Sequence, residues 1–285
     1  MPELPEVEIT KRSISKHILG KKIKSLKILN PKLRYDLNHE NLNLFKNQTI
    51  KKINRRSKYI LIFFDNENVL LVHLGMTGRF YFLNGDRKID TSFYSNNKII
   101  KSHDHLKITF EGFSLIYNDI RKFGFIRRLT ISNIKFSKHI NKLGYEPLTN
   151  EFNFEYLKQK IYNKSSPIKN LLMNQSIVAG LGNIYANEAL YMSKIRPNKH
   201  GNKLKDYEIK TLVKSINKII KNAIDAGGST IKNYHNSEGR SGSYQSNFKV
   251  YDRENRNCLR LGCNGKIRRQ VSSGRSIFFC FKCQR

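Results

Sequence analysis

The apolar positions of this chain change spacing twice, and each change marks a new part of the fold. Over residues 5–20 Val7, Ile14 and Ile18 lie on one helical face. Pro5 suits the first helical turn, Glu6 and Glu8 complement the positive end of the helix dipole, and Gly20 can end the helix. From there to about Leu129 the pattern becomes one of short β-branched and aromatic runs at 58–64, 69–74, 107–110, 114–118 and 125–129. Turn-rich or polar stretches separate them, which predicts an antiparallel β-sandwich. Gly144 and Pro147 in the stretch 143–151 predict a hinge into a second domain. Helical spacing then takes over. Its clearest instance is 207–226, where Ile209, Leu212, Val213, Ile216, Ile219, Ile220, Ala223 and Ile224 share one face. Asp206 can cap its start and Gly227 its end. Shorter helices are expected at 154–162, 168–173 and 184–192. The expected class is therefore α+β in two domains, an N-terminal antiparallel β-sandwich flanked by helices and a C-terminal helical domain. Expected boundaries are 1–130 for the sandwich, 131–150 for the linker, 151–236 for the helices, and 237–285 for a mobile Gly/Ser/Asn-rich loop at 239–247 and a cysteine-bearing terminus.

Length agrees with this division, since 285 residues exceed a typical single domain. Lys and Arg number 53 against 22 Asp and Glu, and the net charge of +31 is spread along the whole chain. Such a surface attracts polyanions, although a codon bias toward lysine and asparagine can account for part of the excess. The start MPELPEVE is acidic and proline-interrupted, unlike a secretory signal, and the longest apolar runs, 59–64 and 69–72, are strand-sized. A soluble, cytoplasmic protein with no membrane partner is expected.

All four cysteines fall near the C-terminus, as Cys258-x4-Cys263 and, after a gap of sixteen, Cys280-x2-Cys283. Two close pairs at this separation can converge on one tetrahedral zinc. Two disulfides are the alternative, which sits poorly with a chain that has no other cysteine. Four protein ligands would leave no open position, so the expected zinc is structural, one ion per chain. Lys266, Arg268, Arg269 and Arg275 surround an expected β-hairpin there and suit a phosphate backbone. Taken alone, this module indicates a nucleic-acid-binding zinc ribbon and says nothing about catalysis.

Five strings carry the enzymatic signal: Met1-Pro2-Glu3-Leu4-Pro5-Glu6, Lys58, His73-Leu74-Gly75-Met76-Thr77-Gly78, Gly180-Leu181-Gly182-Asn183 and the cysteine module. In this order, and over essentially the whole chain, the sequence resembles the formamidopyrimidine-DNA glycosylase family. The resemblance implies a bifunctional DNA glycosylase and AP lyase of base excision repair. It would act as a monomer on damaged double-stranded DNA and excise oxidised purines, 8-oxoguanine and formamidopyrimidines. The chemistry explains a terminal proline: once Met1 is removed, Pro2 is a free secondary amine that can attack the anomeric carbon, giving an iminium that serves as an electron sink. Elimination of the 3′ and then the 5′ phosphate cuts the strand. Glu3 is the implied general acid/base, and Glu6 lines the base pocket or, equally, serves helix electrostatics.

The same resemblance makes Lys58 the lysine that reaches the scissile phosphate, and it assigns Asn183 to a phosphate contact in a helix-two-turns-helix motif. His73, Lys169 and Arg275 become further backbone contacts. A base rotated out of the stack leaves a gap. Met76, Arg121 and Phe123 are the implied fillers, the last two within Asp119-Ile120-Arg121-Lys122-Phe123-Gly124. The family usually has proline at the position of Ile120 and arginine at that of Lys122. Lys122 offers a point charge where arginine would make two parallel bonds to phosphate. An endonuclease VIII-like enzyme acting on oxidised pyrimidines is the neighbouring alternative, against which Leu4 and the filler set speak. A catalytically silent zinc protein would leave Pro2, Glu3 and Lys58 unexplained.

Overall fold

The computed structural model describes residues 1–84, 87–90 (backbone only), 100–229 and 243–285. These form two compact units, each discontinuous in sequence: Met1–Asn141 with Ala226–Ser243, and Lys142–Asp225 with Tyr244–Arg285.

The first unit opens with helix α1 (Leu4–Ile18), which Gly20 follows at φ +76°. Nine strands come next: β1 (Ser25–Ile28), β2 (Ile50–Arg56), β3 (Tyr59–Phe64), β4 (Asn68–His73), β5 (Arg79–Asn84), β6 (Arg87–Asp90), β7 (Asp104–Thr109), β8 (Ser114–Asn118) and β9 (Phe125–Thr130). They make two antiparallel sheets, β2-β3-β4-β9 and β1-β7-β8-β5-β6. Between the sheets, Ile60 and Ile62 of β3 and Leu70 and Val72 of β4 join Phe80, Phe82, Leu106, Ile108 and Leu115, with Val7, Ile14 and Ile18 of α1 in the same core. Leu61, Val69, Leu71 and Phe125 point the other way, into a second cluster with Ile134 and Ile140. The four-stranded sheet is thus buried on both faces, which is why β3 and β4 read as unbroken apolar runs.

Four strands have no such signature. In β2, IKKINRR buries only Ile50 and Ile53, and the pairing is irregular between Ile50 and Lys52. The start of the next run also differs from expectation, for Lys58 does not open a strand. Arg56 pairs with Tyr59, so Ser57 and Lys58 form a two-residue turn, with Ser57 left-handed at φ +54°.

The second unit contains α2 (Phe154–Ile161), α3 (Ile168–Met173), α4 (Asn183–Met192), α5 (Asp206–Asp225), β10 (Ile267–Ser272) and β11 (Arg275–Cys280). The expected face of α5 is buried throughout. Asp206 is its first helical residue and pairs with Lys158 at 2.8 Å, while Gly227 follows its end at φ +79°. Residues 143–151 are hydrogen-bonded into this unit, Gly144 N to Gln175 O and Leu148 N to Asn217 Oδ1. Of the stretch expected to be mobile, 239–242 lie outside the described residues, whereas Tyr244–Asn247 form a 3-10 turn with Tyr244 buried. Strands β10 and β11 form a hairpin over the two-residue turn Ser273-Gly274, left-handed at φ +50° and +71°. No helix among the described residues is long and apolar enough to cross a membrane.

Candidate active site and nucleic-acid interface

In the first unit the start of the chain is enclosed by charge. Pro2 is buried between an exposed Met1 and a buried Glu3. Burial lowers the basicity of the terminal amine; Lys58 and Arg121 act in the same direction, while Glu3 and Glu6 oppose it. These four side chains, from α1, the β2–β3 turn and the β8–β9 loop, therefore converge on the terminus. Lys58 is buried although it sits in a turn. Its turn is tied to α1 through Arg55, which binds Ser57 O and, at 3.0 Å, the Glu8 carboxylate. Burial alone would raise the Glu8 pKa, but the bonds from Arg12 and Arg55 and the charge of Lys11 hold it low.

Glu6 is committed to the framework. Oε2 accepts from Glu3 N at 2.8 Å, and Oε1 accepts from both Ser229 N and Ser229 Oγ at 2.9 Å. Ser229 had no local signal in the sequence; only the folded chain brings it to α1.

His73 ends β4. Its Nδ1 accepts from Gly75 N at 3.1 Å, which leaves Nε2 to carry the proton of a neutral ring. Burial, then the charges of Lys58 and Arg34, push its pKa down to about 3. Phe125 stacks on it at 5.2 Å. Met76, half-buried, follows in the loop 74–78. In the loop 119–124 the Arg121 guanidinium lies 4.7 Å over the Phe123 ring, and Phe123 is 49% exposed, so it is no part of the core. Lys122 between them is left-handed at φ +58°.

In the second unit Asn183 starts α4, with Gly182 as the residue before it and Gly180 at φ +88°. Gln175 fixes this approach, accepting from Gly180 N and donating to Leu181 O. The Asn183 Oδ1 is buried and accepts no hydrogen bond. Lys169 is not a surface lysine: it is 1% exposed, and its Nζ donates to Ser276 O at 2.9 Å. The next residue back along the hairpin, Arg275, is exposed. Helix α4 grips the same region twice. Asn187 Oδ1 accepts from Phe278 N, and the buried Glu188 carboxylate accepts from three successive backbone N–H groups, Lys249, Val250 and Tyr251, at 2.9, 3.0 and 2.8 Å.

At the other end of the hairpin the four cysteines are unoxidised, and their sulfurs lie within 4.8 Å of one another. The Cys258–Cys283 and Cys263–Cys280 separations are 3.8 and 3.7 Å. A tetrahedral ion bound at about 2.3 Å holds its thiolates about 3.8 Å apart, a spacing that these two pairs already have, so the cluster could hold one metal ion. Tyr191 Oη, 3.3 Å from Cys258 Sγ, supports the cluster from α4.

Comparison with known proteins agrees with this geometry. The family profile described as formamidopyrimidine-DNA glycosylase N-terminal domain matches residues 1–126, and that of the formamidopyrimidine-DNA glycosylase H2TH domain matches 143–235. The formamidopyrimidine-DNA glycosylases of Rickettsia felis and Rickettsia bellii are each 40% identical over the whole of this chain and cover 98% and 100% of their own lengths. Among solved structures, Lactococcus lactis Fpg in complex with abasic-site DNA is 34% identical, with a TM-score of 0.87 over 99% of both chains. A mutant of the same enzyme bound to Fapy-dG DNA gives the same TM-score over all of both chains. With a sandwich whose buried terminus is ringed by Glu3, Glu6, Lys58 and Arg121, and a helical unit that ends in a four-cysteine hairpin, the chain belongs to the formamidopyrimidine-DNA glycosylase family, DNA-binding base excision repair enzymes that remove damaged bases and are also lyases at abasic sites.

Proposed function

We propose that the protein, as a monomer, excises oxidised purines, 8-oxoguanine and formamidopyrimidines, from duplex DNA through a Schiff base on Pro2, and cuts the strand by β,δ-elimination. The observation that carries this reading is the burial of the chain terminus among Glu3, Glu6, Lys58 and Arg121. Burial makes the Met1 amine less basic, and the Pro2 nitrogen, itself buried, would meet the same neighbours once Met1 is removed; only the neutral amine attacks. After Met1 is removed, the Pro2 nitrogen adds to C1′ while the bond to the damaged base breaks. Glu3 supplies the proton that opens the sugar, and Lys58 holds the neighbouring phosphate. The iminium then accepts the electron pair released by loss of a C2′ proton, expelling the 3′ phosphate and, in a second elimination, the 5′ phosphate. Glu6, its carboxylate already filled by Glu3 and Ser229, holds the base-pocket wall in place.

The Lactococcus relative was crystallised with Fapy-dG DNA, which supports a ring-opened purine as substrate. We assign the four-cysteine site to one structural zinc per chain: four soft thiolates in a closed tetrahedron suit zinc and leave no coordination position for substrate. We assign His73, Asn183 and the exposed Arg275 to contacts with the DNA backbone, with Lys122 as a further cation and Lys169 bracing the hairpin beneath Arg275. Met76, Arg121 and Phe123 fill the gap left by the rotated base. The test is borohydride added during turnover on an oligonucleotide with 8-oxoguanine opposite cytosine. Protein trapped on the damaged strand through Pro2, with cutting greatly reduced in Pro2→Gly, supports the reading; trapping through an internal lysine while Pro2 stays free overturns it.

A further inference from the structure

We propose that Asp119 is a positioning residue for strand insertion: together with Thr77 it latches the Met76 loop to the Arg121–Phe123 loop, so that the fillers enter DNA as one preassembled unit. The proposal rests on the gap-filling role assigned above to those three side chains. The loops 74–78 and 119–124 each cross from one sheet of the sandwich to the other, β4 to β5 and β8 to β9. Nothing local in the chain obliges them to move together. Asp119 does so from a wholly buried position. Its Oδ1 accepts from Thr77 Oγ1 at 2.5 Å and from Arg121 N at 3.2 Å, while Oδ2 accepts from Gly124 N at 2.8 Å. Thr77 Oγ1 in turn accepts from Arg121 N at 3.0 Å.

Two further observations say that this contact is built rather than incidental. First, the loop backbones are in direct apposition: a Cβ on Gly75 would lie 2.3 Å from Gly124 N, and one on Gly124 would lie 1.9 Å from Tyr117 Oη and 2.9 Å from Asp119 Oδ2. Tyr117 donates to His73 O and so closes the seam from below. Second, the Asp119 carboxylate binds the N–H groups of residues 121 and 124, which bracket the left-handed Lys122. A side chain in that region of backbone space is strained, and a loop lacking this brace would relax out of the turn that stacks Arg121 on Phe123. Ordering the loop in advance removes an entropic cost from the insertion step and fixes the direction of the guanidinium.

The test compares Thr77→Val, Thr77→Ser, Asp119→Asn and Arg121→Ala with the wild type. Single-turnover excision of 8-oxoguanine is measured opposite cytosine and opposite adenine, alongside stopped-flow fluorescence of a 2-aminopurine next to the opposite base. Thr77→Val and Asp119→Asn are expected to slow excision opposite cytosine about tenfold. They should also narrow the cytosine-to-adenine ratio as Arg121→Ala should, because the inserted guanidinium donates to acceptors on an orphaned cytosine but meets an amino donor on adenine, while Thr77→Ser, which keeps the hydroxyl, should stay within about twofold of wild type. Adding Arg121→Ala to Asp119→Asn should narrow the ratio no further. Equal losses opposite both bases, with the Arg121→Ala ratio narrowed, overturn the latch and leave the role of Arg121 intact. An unchanged ratio in Arg121→Ala itself removes the base-reading role. The latch then stands on the 2-aminopurine signal, and unaltered insertion rates in Thr77→Val overturn it. Should Asp119→Asn fail to fold, Thr77→Val carries the test alone.

Discussion

Replacing Glu188 by glutamine would remove one oxygen from a carboxylate that holds three backbone N–H groups. Oε1 serves Val250 and Tyr251, and Oε2 serves Lys249. The amide oxygen of glutamine can keep the first two, but its nitrogen then faces the Lys249 N–H, donor against donor. One charge-assisted bond is lost and a part-buried N–H is left without its acceptor, at about 1–3 kcal/mol, and the two surviving bonds weaken because their acceptor is no longer ionised. A total of about 2–4 kcal/mol follows. At the roughly 2–4 °C per kcal/mol typical of chains somewhat shorter than this one, the unfolding temperature should fall by about 4–16 °C, toward the lower end for a chain of this length. The loss should be local in origin, since the segment released leads directly into the cysteine hairpin, whose core shares Val250 with Cys258 and Cys280. Calorimetry, with metal release followed by a chromogenic chelator, reads both effects. Burial holds the Glu188 pKa above its ordinary value despite the three N–H groups. Because the folded pKa lies above the unfolded one, protonation favours the fold. Wild type should therefore gain stability as the pH is lowered through that raised pKa while the glutamine variant, which does not titrate there, should not, and the gap between them should widen. A variant that melts within about 0.5 kcal/mol of wild type at neutral pH and releases metal no faster would refute the three-bond arrangement.

The remaining expectations are as follows. Cys280→Ser should lower the metal content from one ion per chain and weaken DNA binding, because so small a hairpin has little core without its metal; elemental analysis of active protein decides this. His73 titrates near 3 in the fold and near 6.5 when unfolded, so the unfolded chain binds more protons between these values and stability falls as pH drops through that window. His73→Asn, which keeps an acceptor at the Nδ1 position, should flatten the fall, as denaturant melts from pH 7 to 4 would reveal. Glu3→Gln should reduce base excision far more than DNA affinity, compared by single-turnover kinetics and fluorescence anisotropy; equal losses would make Glu3 a helix residue only. Binding to undamaged duplex should weaken by roughly a thousandfold or more between 50 and 200 mM salt if about six or more phosphates are neutralised.

Periodic elements were legible in the sequence because their signal is local. The buried face of α5 is an amphipathic stripe in plain view, and β3 and β4 are apolar because both faces of their sheet are covered. Strands β2 and β5 were not legible. The first buries only two residues, and the second begins with Arg79, a fully buried guanidinium whose environment, including Asn118 on the paired strand, comes from the folded chain. The site divides in the same way. Pro2, Glu3, Lys58 and the cysteines stand in motifs, and the cysteine spacing alone foretold a convergent cluster. The bonds that position the site, Glu6 to Ser229, Thr77 to Asp119 and Lys169 to Ser276, join residues 223, 42 and 107 positions apart. No window of sequence contains such a pair. That is also why nothing in the sequence signalled that Lys169, expected to contact the DNA backbone, is buried with its Nζ on Ser276 O.

The bond between Glu6 and Ser229 has a further consequence in time. The end of the chain that carries the proposed nucleophile is the first to be synthesised, yet the wall behind it is among the last parts to be made. At about 5–20 residues per second, Glu6 waits roughly 10–45 s for Ser229 to be added. For most of that interval, once residue 58 has been added, a nascent chain bearing Pro2, Glu3 and Lys58 lacks the serine that fills one oxygen of the Glu6 carboxylate. The separation in sequence thus acts as a timer: a half-made enzyme on the ribosome has the reactive end and an unfinished pocket, and the site is closed only when most of the second unit already exists.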